Sequence, residues 1–381
     1  MQAPRKALRI AIITETYPPE VNGVARTVAF MAEGLQRRGH AIELVRPRQN
    51  GADPGRHNGF DVLLSGGLPI PTYPQLKFGL PAKHAMLRAW SLKRPDVVHI
   101  ATEGPLGWSA LAAAQALGLR VSTDFHTNFH SYSRHYGIGW LARPVHAYLR
   151  RFHNRAGCTL VPTEELKREL AAAGYLGLRV VGRGVDPAVF SPERRSRELR
   201  ASWGAHDDTP VALCVSRFAR EKNFPLVIEA FQAMRRIRPD LRLVLVGDGP
   251  LSERLRRQNA GTVIAGRLVN GKLSQHYASA DMFLFPSVTE TFGNVTLEAA
   301  ASGLGIVAYR YAAAAAHLEH ERSALLAPFD DASAFVAAAE RMARDLLLAR
   351  SLGREARRVA EQVTWERIVD DFERELLDVA A

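Results

Sequence analysis

What most limits how this chain can fold is an alternation, sustained almost throughout, of short apolar runs with segments of helical period. The runs in the first half are Leu8–Thr14, Ala41–Arg46, Val62–Ser65, Val97–Ala101, Arg120–Asp124, Cys158–Pro162 and Arg179–Val181. In the second half they are Val211–Ser216, Leu241–Val246, Thr262–Ala265, Met282–Phe285 and Gly305–Ala308. Most are apolar throughout rather than alternating with polar residues, as expected of strands covered on both faces of a parallel sheet. Between them lie helical segments. Val24–Arg38 puts Val24, Val28, Met31 and Leu35 on one stripe and stops at Gly39. Thr163 is placed to cap a helix over Thr163–Leu170. Others are expected at Phe224–Ile237, Leu251–Gln258, Lys272–Ala278, Asn294–Ser302 and Ala332–Leu347.

Repeated βαβα order means an α/β fold with parallel sheets. The 381 residues suit two domains at roughly 150 residues each. Two doubly wound, Rossmann-like domains are therefore expected. Gly182, Gly184 and Pro187 interrupt the pattern and mark the join, giving domains 1–184 and 185–363 followed by a helix over 364–381. That last helix carries Trp365, Ile368, Val369, Phe372, Leu376 and Leu377 on one face and acidic residues on the other, so it must dock, most simply on its own protein.

With 23% charged and 47% hydrophobic residues, the chain has ample material for a core. Its net charge of +11 is unevenly placed: residues 1–184 hold 24 basic and 12 acidic residues, residues 185–381 hold 26 and 27. The first half is thus expected to meet something anionic. Cys158 and Cys214 sit in apolar runs with no zinc or redox spacing, so a disulfide framework is not expected. The first apolar run is broken by Thr14, Glu15 and Pro18, which reads as a strand and not a signal peptide. No apolar run reaches the ~18 residues needed to span a bilayer, and a cytoplasmic location is expected.

Four stretches could carry chemistry. Asn22–Gly23 follows the first strand and precedes a helix, whose N-terminal N–H groups suit a phosphate; the spacing is neither G-x-G-x-x-G nor a Walker loop. His126, with Asp124 and His130 nearby, follows another strand; no Cys or Glu stands at metal spacing, so a catalytic or sugar-contacting histidine is favoured over a metal ligand. Arg217 and Lys222 open the second domain's first helix and could clamp a diphosphate. Glu290 and Glu298 bracket Thr291, Phe292, Gly293 and Asn294, on a loop and the helix after it. Paired carboxylates accept hydrogen bonds from neighbouring hydroxyls, so binding fits this arrangement better than glycoside hydrolysis.

In its P-S-x-x-E-x7-E setting, the Glu290/Glu298 pair resembles the signature of retaining glycosyltransferases of family 4, which have the GT-B fold. The resemblance extends to the Asn22–Gly23 loop, His126, the Arg217 and Lys222 pair, the Arg183–Phe190 crossover, Val246–Pro250 and the C-terminal helix. Within the family the chain is most similar to bacterial GDP-mannose-dependent α-mannosyltransferases and to glycolipid-forming transferases, including diacylglycerol-glycosylating and sulfoquinovosyl types. Gly305 stands where the family usually has proline, and the stretch from His320 to Leu325 lacks its usual glycine.

The resemblance implies roles. Glu290 and the backbone of Thr291–Asn294 would hold the donor sugar and diphosphate, and Glu298 the ribose. Arg217 and Lys222 would neutralise the leaving diphosphate. Gly23 would let the backbone approach that phosphate, and His126 would support positive charge at the anomeric carbon. Gly266, Arg267 and Leu268 would lie near the base, and the tail helix would return to the first domain. It also implies same-face attack with the leaving phosphate taking the acceptor's proton. No cofactor beyond the nucleotide sugar, and no metal, is then required, because the cations and helix dipoles neutralise the same charge. GDP-mannose is the favoured donor, UDP-glucose or UDP-glucuronate next.

GT-B enzymes bind acceptors on the first domain. There Lys77–Arg94 carries Lys77, Lys83, Arg88, Lys93 and Arg94 among apolar residues, and Trp140–Arg155 carries Arg143, Arg150, Arg151 and Arg155. Read as basic amphipathic helices, they point to an anionic membrane surface and a lipid acceptor such as diacylglycerol or a phospholipid-linked sugar, with the enzyme at the inner face of the membrane. A soluble sugar or polysaccharide acceptor is the alternative. Nucleic acid is disfavoured, since no helix-turn-helix, zinc-finger or RNA-binding aromatic motif is present.

Overall fold

A computed structural model describes residues 7–20, 22–49, 53, 56–57, 59–70, 73–126, 142–258 and 262–381. They form two compact units. One takes the described residues up to Gly182 together with Trp365–Ala381, the other Arg183–Thr364.

The first unit is built on strands β1 (Arg9–Ile13), β2 (Ala41–Pro47), β3 (Arg56–His57), β4 (Phe60–Ser65), β7 (Val97–Ile100), β8 (Arg120–Asp124), β9 (Cys158–Val161) and β10 (Leu178–Val180). Their order in the sheet is β10-β9-β8-β7-β1-β2-β4-β3. All pairs are parallel except β3 with β4. The helices are α1 (Gly23–Arg37), α2 (Lys83–Leu92), α3 (Pro105–Ala116), α4 (Ala142–His153) and α5 (Glu164–Ala172). α1 forms where its apolar stripe predicts, burying Val28, Met31 and Leu35. Gly39, at φ +91°, turns the chain into β2.

A hairpin of β5 (Gly67–Ile70) and β6 (Tyr73–Gly79) stands apart from the sheet and was not expected. It corrects the reading of Lys77–Arg94 as one basic helix. Lys77 lies on β6, with Nζ donating to the carbonyls of Arg48 at 3.1 Å and Gln49 at 2.8 Å. The helix begins only at Lys83, after Pro81 has broken the path.

The tail helix, α14 (Trp365–Ala380), belongs to the first unit and buries Ile368, Val369, Phe372 and Leu376 in that unit's core. Phe30 and Trp365 stack at 4.7 Å. A Cβ on Gly34 would lie 2.6 Å from Val369 Cγ2, so the small residue lets α1 and α14 touch. Arg38 meets Asp370 at 2.8 Å and Glu373 at 3.3 Å, and Glu373 also meets His40 Nε2 at 3.0 Å, all close to the core. With six acidic and two basic residues, α14 returns negative charge to the unit that the first 184 residues make so positive.

The second unit has one six-stranded sheet of β11 (Val211–Val215), β12 (Arg242–Val246), β13 (Thr262–Gly266), β14 (Met282–Phe285), β15 (Gly305–Tyr309) and β16 (Leu325–Ala327). The order β13-β12-β11-β14-β15-β16 is that of a doubly wound sheet, reversing between β11 and β14. Its helices are α6 (Arg197–Ser202), α7 (Phe224–Ile237), α8 (Ser252–Gln258), α9 (Asn270–Ser279), α10 (Asn294–Ala301), α11 (Ala312–His317), α12 (Ala332–Arg344) and α13 (Leu346–Ala360). The helix expected over Ala332–Leu347 stops at Arg344, because Asp345 caps a new one by accepting from Leu348 N at 2.9 Å. Packing of α13 explains glycine at 305, since a Cβ there would stand 2.8 Å from the Ala349 carbonyl oxygen.

Candidate functional site

In a doubly wound sheet ligands bind outside the carboxyl ends of the strands at the point where the order reverses. In the second unit that point lies between β11 and β14, and the turns leaving these strands hold the predicted cations and carboxylates. Lys222 Nζ, nearly buried, lies 2.5 Å from Glu290 Oε1 and donates to the Thr289 carbonyl at 3.0 Å and Ser287 Oγ at 3.3 Å. Residues far apart in sequence therefore form one polar cluster. The backbone ties the two turns together through Val288 N to the Glu221 carbonyl, at 3.1 Å.

Arg217 pairs with the fully buried carboxylate of Glu221. Burial alone would raise that carboxyl. A hydrogen bond from its own backbone N–H, together with Arg217 and Lys222, outweighs burial and holds it below the usual carboxylate range. A structural anion thus fixes the first predicted cation, while the second reaches the loop carboxylate.

The helices that begin here have no side-chain caps. Asn223 (φ +53°) stands at the N-cap of α7 and Gly293 (φ +88°) at that of α10, and neither makes a side-chain cap bond. At α7 Pro225 has no N–H and Leu226 N donates to the Asn223 carbonyl at 3.1 Å, so it is the start of α10 beside lysine that makes a setting for an anion. The loop between Glu290 and Gly293 is pinned from behind, by Tyr311 OH to the Glu290 carbonyl and Ala313 N to the Phe292 carbonyl, both at 2.8 Å. Phe292 is buried against His317, and burial pushes that imidazole below its ordinary value. Asn294 opens α10, and Thr291 lies within the pinned loop.

One turn into α10, Glu298 is 5% exposed and accepts from Tyr277 OH at 3.0 Å. Gly266 ends β13 at φ +71°, and its carbonyl accepts from Gly247 N at 2.8 Å. Arg267 is exposed and Leu268 half-buried just beyond. Gly247 is fixed as glycine by its φ of +145° and by a Cβ position 1.8 Å from the Ser216 carbonyl oxygen.

In the first unit the edge beyond β1, β7 and β8 is acidic. Asn22 Oδ1 accepts from Ala25 N at 2.8 Å and caps α1, so its side chain closes the helix end that Gly23 opens. Asn22 Nδ2 donates to Thr16 Oγ1 at 2.6 Å, Thr16 donates to Glu20, and Gln49 Nε2 donates to the other Glu20 oxygen at 2.6 Å. Glu15 plays the same part for α3, accepting from Leu106 N at 3.1 Å. Burial, only partly offset by that bond, pushes Glu15 up to about 7, with Glu103 adding to the rise. Glu103 lies 3.5 Å from His153 Nε2, and its carbonyl accepts from Tyr148 OH at 2.6 Å. His126 Nε2 lies 3.1 Å from the fully buried Asp124. His130 and Trp140 lie outside the described residues.

Of the basic side chains expected to face a membrane, Lys83, Arg88, Lys93, Arg94, Arg150 and Arg151 are exposed. Some are engaged: Lys93 pairs with Asp61 at 3.4 Å, Arg94 reaches the Leu117 carbonyl at 2.8 Å and Arg150 the Ala173 carbonyl at 3.1 Å. The apolar partners read beside them are mostly core, as Met86, Trp90, Leu149 and Phe152 are buried. Leu92, at 82% exposure, is the clearest exception. These helices therefore offer the surface charge more than apolar area. Among the described residues no helix is long and apolar enough to cross a membrane.

Sequence reasoning did not single out Glu15, Glu20, Glu103, Tyr277 or Tyr311. The only signal for Glu15 and Glu103 was an acidic residue close after an apolar run. Nothing local marks either tyrosine.

Residues 21–189 match the profile described as Glycosyltransferase Family 4, and residues 209–345 that described as Glycosyl transferases group 1. A GDP-mannose-dependent alpha-mannosyltransferase of Mycolicibacterium smegmatis is 34% identical over 79% of this chain and 79% of that protein. A sulfoquinovosyl transferase of Arabidopsis thaliana is 31% identical over 80% of this chain and 60% of its own length. An alpha-monoglucosyldiacylglycerol synthase of Streptococcus pneumoniae is 27% identical over 79% and 71%. Among solved structures, sucrose-phosphate synthase from Thermosynechococcus elongatus superposes with TM-score 0.76 at 19% identity, covering 98% of this chain and 100% of that one. Anabaena HepE in complex with UDP and glucose gives 0.77 at 17%, covering 97% and 100%. Both have the GT-B fold.

Proposed function

The chain belongs to glycosyltransferase family 4, and from that premise we propose that it moves a hexose, with retention, from a nucleoside diphosphate sugar to a lipid acceptor. GDP-mannose is the proposed donor, with UDP-glucose or UDP-glucuronate next. The observation that carries the reading is the Lys222–Glu290 cluster beside the uncapped start of α10. A diphosphate needs cations and open N–H groups, and a sugar needs a carboxylate for its hydroxyls.

In this mechanism Lys222 and Arg217 neutralise charge as it builds on the departing diphosphate, together with the N–H groups of Phe292, Gly293 and Asn294. Stabilising developing charge with groups already in place is commonly the largest part of such catalysis. The acceptor hydroxyl attacks from the face the leaving group vacates and passes its proton to a phosphate oxygen. Glu290 holds the sugar, and His126, held by Asp124, supports positive charge at the anomeric carbon. No metal is required, since lysine and arginine supply the countercharge.

The lipid acceptor is supported by a relative named as an alpha-monoglucosyldiacylglycerol synthase, and by the exposed cations of the first unit with Leu92 among them. Each Lys or Arg near an anionic surface contributes about 1 kcal/mol, which salt screens. A peripheral location on the inner face of the membrane belongs to the same proposal. The test is a donor screen by thermal shift over GDP- and UDP-sugars, followed by transfer to diacylglycerol and phospholipid-linked sugars in anionic liposomes. Transfer to a lipid with salt-sensitive flotation is expected. Transfer only to soluble sugars, with no flotation at low salt, would replace the acceptor proposed here.

A further inference from the structure

We propose that Tyr277 is a positioning residue of the nucleotide site: its hydroxyl sets the plane of the Glu298 carboxylate so that the carboxylate receives a vicinal diol. The inference rests on the reading of Glu298 as the ribose-binding residue and adds what makes that residue selective.

Tyr277 is fully buried on α9 and Glu298 nearly so on α10, with the phenol oxygen 3.0 Å from Oε2. The last torsion of a glutamate is broad and close to two-fold. A buried carboxylate therefore has no preferred plane unless a partner supplies one. A carboxylate has about four acceptor directions, so a bond from Tyr277 to one oxygen fixes where the hydroxyls of a diol must lie. The phenol is a good anchor because its ring is held on two sides. Phe190 meets it edge-on at 5.6 Å and 82°, and Phe283 lies at 5.9 Å and 45°. Phe190 ends the segment that leads into the unit, and Phe283 is on β14. The hydroxyl is thus fixed by the sheet that also carries the Glu290 loop.

The alternative is that Tyr277 only fills the core. The two roles separate in the discrimination between a ribonucleotide and its dideoxy form. Affinities of GDP, UDP and their 2′,3′-dideoxy forms are measured for the wild type, Tyr277→Phe, Glu298→Gln and the double variant, and the nucleoside diphosphate bound more tightly is followed. Phenylalanine keeps the ring, and a melting curve checks the fold. The wild type is expected to prefer the ribonucleotide. Tyr277→Phe should weaken the ribonucleotide about five- to tenfold while leaving the dideoxy form within about twofold, the loss expected for one ordinary hydrogen bond. The double variant should discriminate no less than Glu298→Gln alone, because both act through one carboxylate.

Equal weakening of both nucleotides by Tyr277→Phe, or no weakening of either, overturns the proposal while leaving Glu298 as the ribose residue. If Tyr277→Phe melts at markedly lower temperature, Glu298→Asp, which withdraws the carboxylate from the phenol by one methylene, is read in its place. Retention of wild-type discrimination by that variant overturns the proposal equally. If Glu298→Gln leaves discrimination intact, or neither nucleotide binds the wild type, the underlying site reading fails and the proposal with it.

Discussion

In the first unit, the helices that begin beyond β1 and β7 have their ends filled by the protein's own side chains, Asn22 on α1 and Glu15 on α3. In the second unit, the helices beyond β11 and β14 begin at left-handed Asn223 and Gly293 with no side-chain cap. The same unit does cap helices elsewhere, with Asp331 on α12 and Asp345 on α13. α9 and α11 of that unit also begin without a side-chain cap, at Val269 and Tyr311, so what sets the start of α10 apart is the Lys222–Glu290 cluster beside it. A carboxylate at a helix end repels a phosphate, whereas free N–H groups beside Lys222 attract one. Surplus charge and phosphate chemistry are thus separate matters. The first unit carries the positive excess in sequence, and the second carries the better anion site.

Lys222→Ala tests that contrast most severely. Activity is expected to fall roughly a thousandfold, or about 4 kcal/mol in kcat/KM, the scale for removing one preorganised charge-stabilising group. Circular dichroism should stay unchanged, and wild-type turnover would end the assignment. Glu15→Gln probes the filled end. A carboxyl whose folded pKa of about 7 lies above its unfolded value near 4.5 holds its proton more tightly when folded. The wild type should therefore be most stable below about pH 4.5, lose stability up to about 7, and stay lower above that. Glutamine can still accept from Leu106 and should flatten this loss, by at most about 3 kcal/mol at pH 8, as denaturant melts at pH 5 and pH 8 would show.

Gly293→Asp gives α10 the kind of end that α3 has. Nucleotide affinity should drop at least about tenfold, or ~1.4 kcal/mol, in a titration with GDP or UDP. Asn22→Ala opens a filled end and should cost about 1 kcal/mol of stability, without creating phosphate affinity in the first unit. The smallest expected effect is that of a chelator, which should leave the transfer rate unchanged. A large loss would mean that cations other than Lys222 and Arg217 neutralise the diphosphate.

Much of the framework was legible because both signals it needs are local. Apolar runs such as Val211–Val215 mark central strands, and α7 spans the segment its period defines. The meeting of Lys222 with Glu290 required one further step, that turns leaving neighbouring strands at a switch point lie side by side. Where sequence failed, distant structure decided. The β5–β6 hairpin contains Pro69 and borders Gly66, which hides a strand period. Asp345 sits in an unbroken helical pattern and acts only as a cap. Glu15 looks like an ordinary loop residue until α3 is known to start against it, and the Tyr277–Glu298 bond joins helices that β14 separates in sequence.

The return of α14 to the first unit sets an order of events during synthesis. The second unit is, in chain terms, an insertion between Gly182 and Trp365. A ribosome has therefore made the whole of Arg183–Thr364 before the helix that covers α1 exists. Until then the face around Gly34 lacks Val369 and Phe372, and the buried end of His40 lacks Glu373. The described residues of the second unit, contiguous in the chain, can close as they emerge, while the first unit is completed only afterwards.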